Sequence, residues 1–176
     1  MTTTFDFGFG PVPAHQHPNG GGWVADSAYV AKTAYVGRKA RVCGKARVSG
    51  NARVTDNARV YGNAKVIGKA QVFGDATVCD KARVSGNAKV TDDAHISGDA
   101  RVAGNAWVSG DAKVAGNARV FDRALVCGEA RVYGDAKVTG DAVVYGKARV
   151  SGKARVAGKA WVSGNAVVSG KDVVYV

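Results

Sequence analysis

The sequence predicts an all-β chain wound into a parallel coil, and three observations carry that prediction. From Val24 to Val174 every sixth residue is Val, with Ile96 the single exception. Two positions before each of these sits Ala, from Ala28 to Ala166, until Asp172 ends the series. Two positions after them comes Gly in most units, as at Gly44, Gly50 and Gly62, and Asp in others, as at Asp56, Asp80, Asp92 and Asp122. An unbroken short period of this kind needs only to bury each unit against its neighbours, so the 176 residues read as one elongated array.

The first segment, residues 1–22, lacks the six-residue pattern, carries all three Pro and gathers Phe5, Phe7 and Phe9. It is expected to be an irregular but ordered cap on the array of residues 23–176. The first outward positions of the array are Trp23, Tyr29 and Tyr35, aromatic where later units carry Arg or Lys, and the Phe-rich segment is the nearest cover for them.

Within each unit, Ala and Val alternate with polar residues, which makes Ala-x-Val a short strand with its small and branched side chains inward. Gly or Asp then turns the chain, because both tolerate the positive φ that other residues resist. A period of six keeps Val always inward and bends the chain always in the same sense, so it must coil. With three sides per coil, rungs stack at about 4.8 Å, giving about eight rungs and a prism about 40 Å long.

Units such as ARVSGN, AKVTGD and AWVSGN resemble the hexapeptide repeats of left-handed β-helix proteins, the superfamily of bacterial acyltransferases and of many uncharacterised bacterial and phage proteins. The resemblance covers residues 23–176. It implies a single-stranded left-handed parallel β-helix of triangular section; periodicity alone gives only a coil, and the usual crossover rule favours the opposite hand. Acyltransferases of the superfamily typically interrupt the coil with a loop, place a catalytic His beside it and often end in a helix. This chain shows neither interruption nor terminal helix, so the resemblance implies no activity for it.

The formal charge is +11, from 25 Lys and Arg against 14 Asp and Glu. Twelve of the acids fall in the turns, while the position just before Val holds fourteen of the cations and no acid. The net charge therefore belongs to the flat faces. Sorting that position by eighteen separates three columns. One reads Arg47, Lys65, Arg83, Arg101, Arg119, Lys137 and Arg155; a second Arg41, Arg59, Thr77, His95, Lys113, Arg131 and Arg149; the third starts as Arg53, Gln71 and Lys89 and changes to Trp107, Leu125, Val143 and Trp161.

Outward strand positions must be polar, and long Arg or Lys stems cover neighbouring Ala and Val well, which is the plain account of the first column. Against it, cations stacked at the rung spacing repel one another, and a merely solubilising face mixes signs. An anionic partner relieves that repulsion, and nucleic acid or a nucleotide is the ligand class expected, bound electrostatically and without base readout. Tyr61, Phe121 and Tyr133 either stack bases or fill corner grooves. The line from Trp107 to Trp161 is contiguous, which single exposed apolar residues are not, and burial against another subunit explains it better than a ligand shelf does. The open final rung, Asp172 to Val176, points the same way, to a homodimer or homotrimer joined through the C-terminal half.

His15 and His17 are alternate residues with no third metal ligand nearby in sequence, so hydrogen bonding in the cap is expected of them and no metal or other cofactor is. Cys43, Cys79 and Cys127 fall on different rungs or faces, too far apart for a disulfide, and fit a reducing compartment. No paired carboxylates, nucleophile motif or phosphate loop occurs, and the many Gly are turn residues. Nor is there an apolar stretch for a membrane span or a secretory signal, so the expected location is cytoplasmic. The resulting expectation is a non-enzymatic, self-associating β-helical rod whose basic faces bind a polyanion. The alternatives are a structural or assembly scaffold without ligand and an acyltransferase relative.

Overall fold

The computed structural model describes residues 3–176. Among these residues the chain forms 28 strands and no helix, and no segment is a helix long and apolar enough to cross a membrane. Most strands are only two residues long, the outward residue and its Val, as at Arg83–Val84 and Trp107–Val108. Ala joins from the preceding turn.

From Trp23–Ala25 on, strands pair in parallel with those eighteen residues later, so that Arg47 partners Lys65 and Val48 partners Val66. Three parallel stacks result, about eight turns of a coil with a triangular section. The basic sheet has nine strands, from Tyr29–Val30 to Val173–Tyr175; the stripe sheet has eight, from Tyr35–Val36 to Trp161–Val162. The mixed sheet carries the array from Trp23–Ala25 to Val167–Val168.

Inside, every sixth residue from Val36 to Val156 and every sixth residue from Ala34 to Ala160 is completely buried, Ile96 among them. The prism is narrow, so a methyl and an isopropyl group per side fill it, and all three sheets share one continuous core. Backbone groups are consumed between rungs: the Arg83 N–H donates to Ala100 O at 2.9 Å, and the turns are stitched likewise, as in Lys45 N–H to Gly62 O at 2.7 Å.

At the corners the chain needs the left-handed region, with φ near +66° at Gly116 and +61° at Asp122. Two conditions meet at these sites. A Cβ on Gly104 would lie 2.9 Å from the backbone N of Asp122, so side chains are crowded as well as strained there. Asp56, Asp80, Asp92 and Asp122 resolve the crowding by turning it into a hydrogen bond: each carboxylate accepts the N–H of the Gly one rung on, at Gly74, Gly98, Gly110 and Gly140, over 2.9–3.1 Å. That accounts for Asp as the substitute for Gly, and for the Gly that always follows it one rung later.

The cap differs from expectation. It is regular, an antiparallel hairpin of β1 (Thr4–Asp6) and β2 (Pro11–Gln16), with β2 pairing antiparallel to β3 (Trp23–Ala25) and so extending the mixed sheet. Antiparallel pairing obeys a period of two, which is why no six-residue pattern marks it. Phe5 stacks on Trp23 with centroids 4.5 Å apart, as the aromatic cluster suggested. Tyr29 and Tyr35 are not reached by the Phe residues, because the hairpin adds to one sheet only; Arg47 and Arg53 cover their rings at 5.2 and 4.6 Å. The loop after β2 closes the stripe sheet instead, where Gly22 N–H donates to Val36 O and Asn19 O accepts the Val36 N–H.

Candidate binding faces

Parallel pairing brings the seven residues of the first column into direct register: Arg47–Lys65, Lys65–Arg83, Arg83–Arg101, Arg101–Arg119, Arg119–Lys137 and Lys137–Arg155 are neighbours on adjacent strands. All are exposed except the half-buried Lys137. At the rung spacing each neighbouring pair repels by about 1 kcal/mol in bulk water. Among the described residues the ion pairs are His15–Asp26, Arg123–Asp141 and Lys147–Glu129, all in the cap or the turns, so none neutralises this ladder. Beside it the corner residues Lys45, Asn63, Lys81 and Asp99 form the other wall of a groove of about 510 Å³ with Lys65, Arg83 and Arg101. Five cations and one carboxylate line it.

Half of the turn acids gather at the far corner. Asp75, Asp93, Asp111 and Glu129 occupy one turn position on four successive rungs, at the corner between the stripe and mixed sheets. In a three-sided coil that corner lies opposite the basic sheet. There the carboxylates face the mixed sheet, where Asp93, Asp111 and Glu129 share a groove with Lys113 and Arg131. The near balance of charge summed over all turns hides this column, and sorting the turn residues by eighteen exposes it. Asp26, Asp80, Asp99, Asp122, Asp135 and Asp141 lie at the two corners that flank the basic sheet, outside the ladder itself.

Of the three corner aromatics, Tyr61 and Phe121 are half-buried, whereas Tyr133 is 43% exposed and shares a shallow cavity of about 230 Å³ with Lys113, Arg131 and Arg149. The second column is interrupted at its middle by Thr77 and His95, where the His95 Nε2 lies 3.7 Å from Cys79 Sγ. Burial, and then the Lys113 charge, holds the imidazole below its ordinary pKa, while burial pushes the Cys79 thiol up. Both are uncharged at neutral pH, so this pair is not an activated thiolate. Burial pushes Cys43 up to about 11, and burial followed by the contact with Cys79 pushes the Tyr61 phenol up to about 12. All three cysteines are free; Cys43 and Cys79 share a corner two rungs apart with Tyr61 between them.

On the stripe sheet Trp107, Leu125, Val143 and Trp161 are likewise consecutive partners. Trp107 is 45% and Trp161 70% exposed, and Tyr145 extends the patch edge-on to Trp161 with centroids 6.3 Å apart. Lys89 caps the near end, its ammonium 5.5 Å from the Trp107 ring centroid. His15 and His17 both serve the cap: His15 Nδ1 pairs with Asp26 at 2.7 Å, and the buried His17 accepts the Asn19 N–H. No group of three or more His, Cys, Asp and Glu is placed to hold a metal among the described residues.

Residues 40–55, 46–62, 94–110, 130–146 and 148–164 match a family model described as the YdcK beta solenoid repeat, together under half of the chain. Most matches are seventeen residues long, close to one turn of this coil. No curated protein matches the sequence.

Proposed function

We propose that this β-solenoid repeat protein is a non-enzymatic rod of the left-handed hexapeptide-repeat type that associates with itself through the stripe and binds a polyanion, nucleic acid or nucleotide, on its basic sheet. The observation that carries the reading is the ladder from Arg47 to Arg155: seven cations in register, without a carboxylate partner among the described residues, on the side opposite the acidic corner. A face selected only for solubility gains nothing from this arrangement, whereas one meeting phosphates gains from every rung through counterion release. Base readout is not expected, since the ladder presents charge at a fixed pitch and few polar edges. The exposed Tyr133 among three cations adds a surface on which a base can stack.

Self-association draws on a separate observation, the contiguous Trp107–Trp161 stripe, and closes most simply as a dimer or trimer. A scaffold role without ligand rests on the stripe alone. Purification at low salt and again after a high-salt wash separates these readings: absorbance at 260 nm that accompanies the protein and is removed by salt supports the polyanion, and protein free of it at low salt, with no affinity for added oligonucleotide, leaves the scaffold.

A further inference from the structure

The cap and the coil together build a second site, distinct from the basic ladder. Asp6 Oδ1 accepts the N–H groups of Gly8 at 2.7 Å and Gly10 at 3.0 Å, and both glycines hold positive φ, 109° and 97°. The loop so clamped turns Phe7 inward, 6% exposed, and Phe9 outward, 66% exposed. It overhangs the start of the mixed sheet and encloses a cavity of about 280 Å³ between Phe7, Phe9, Arg41, Cys43, Arg59 and Tyr61. This is where an apolar wall, exposed aromatic surface and unpaired cations meet. Arg41 is steadied by the Phe5 ring at 5.3 Å, and neither it nor Arg59 forms an ion pair among the described residues. The Asp6 carboxylate is held by the two glycine N–H groups, which, with a smaller contribution from the Arg41 charge, keep its pKa below the ordinary value. Burial pushes the Cys43 thiol up to about 11, so it is an uncharged part of the wall at neutral pH.

We infer that this cavity binds a nucleoside monophosphate, its base against Phe9 and Tyr61 and its phosphate on Arg41 and Arg59. Two guanidiniums match phosphate oxygens in fixed forks, and aromatic rings receive any base face. The inference deepens the polyanion reading by giving the rod a site at its capped end that holds a single nucleotide, where the ladder only attracts charge.

Calorimetric titration of the full chain with adenosine 5′-monophosphate, adenosine and inorganic phosphate tests it. The monophosphate should saturate one site per chain, and each fragment alone should bind at least about tenfold more weakly, since stacking and phosphate contact each contribute that much. Phe9→Ala and Arg59→Gln, both changes of exposed atoms that leave the melting temperature in place, should each weaken the monophosphate by about tenfold or more. The triple variant Arg83→Gln, Arg101→Gln, Arg119→Gln should bind the monophosphate as the wild type does. No saturable binding, equal affinity for phosphate alone, indifference to Phe9→Ala, or loss in the triple variant would each overturn the site. Oligonucleotide binding that ignores the triple variant would instead overturn the basic ladder and leave this site standing.

Discussion

Along the basic sheet the outward residue stays cationic for seven rungs, whereas along the stripe sheet it passes from Arg53, Gln71 and Lys89 to Trp107, Leu125, Val143 and Trp161. Inward, the two sheets are indistinguishable, Val over Val and Ala over Ala with no exposure from Val48 to Val156 in one and from Val36 to Val144 in the other. Position inside the prism is dictated by the width of the core and repeats without regard to function. Position outside is free of that demand, since any side chain can project from a two-residue strand, so a change of character there carries information about what the surface meets. The same separation holds at the corners, where Gly and Asp are fixed by backbone geometry and the following residue varies from Lys81 to Asp93.

The comparison breaks most severely from the inside. Val102→Asp in the basic sheet and Val126→Asp in the stripe sheet both bury an unpaired carboxylate, and each should cost more than about 4 kcal/mol in urea unfolding, or abolish folding. A cost confined to one sheet would contradict the shared core. Next comes the corner: Gly104→Ala places a Cβ against the Asp122 backbone at positive φ and should cost about 1–3 kcal/mol by the same measurement.

Alkaline pH sharpens the picture of the buried thiols. The folded-state pKa of Cys43 is raised from 9.0 to about 11, so between those values the unfolded chain releases a proton that the folded chain keeps. Stability must therefore fall as pH rises through about 9 to 11, with Cys79 and Tyr61 acting in the same sense. Urea midpoints should decline over that window, and Cys43→Ala should flatten the decline relative to the wild type. The smallest effect on stability belongs to Trp107→Lys with Trp161→Lys, which should move the melting free energy by less than about 1 kcal/mol while converting an oligomer to a monomer in sedimentation. A monomeric wild type at tens of micromolar, or an unaltered oligomer in the variant, removes the stripe from consideration as an interface.

The coil was legible because its core repeats with an unbroken period: Val and Ala give the inward positions, and Asp56, Asp80, Asp92 and Asp122 mark the positive-φ corners as surely as Gly does. The registers of the basic ladder and the stripe followed from counting by eighteen, and both stand as adjacent partners. The hairpin was not legible, since its alternation of Pro11, Val12, Pro13 and Ala14 obeys antiparallel geometry over too few residues to declare a strand, and Pro discourages that reading. The cavity under Phe9 was hidden for the same reason: Arg41 and Arg59 lie in the mixed column, and only the fold of the cap sets an aromatic beside them.

The central claim, that the basic sheet is the polyanion-binding surface, is tested most directly by the salt dependence of oligonucleotide affinity. Fluorescence anisotropy of a labelled single-stranded DNA, titrated at several salt concentrations with the wild type and with the Arg83→Gln, Arg101→Gln, Arg119→Gln variant, gives the slope of log affinity against log salt for each. The wild type should bind with a steep slope, and the variant, melting at the same temperature, should bind more weakly with a slope shallower by about 2, since each phosphate contact on a single strand contributes about 0.7. Equal affinity and equal slope in the two proteins would contradict it.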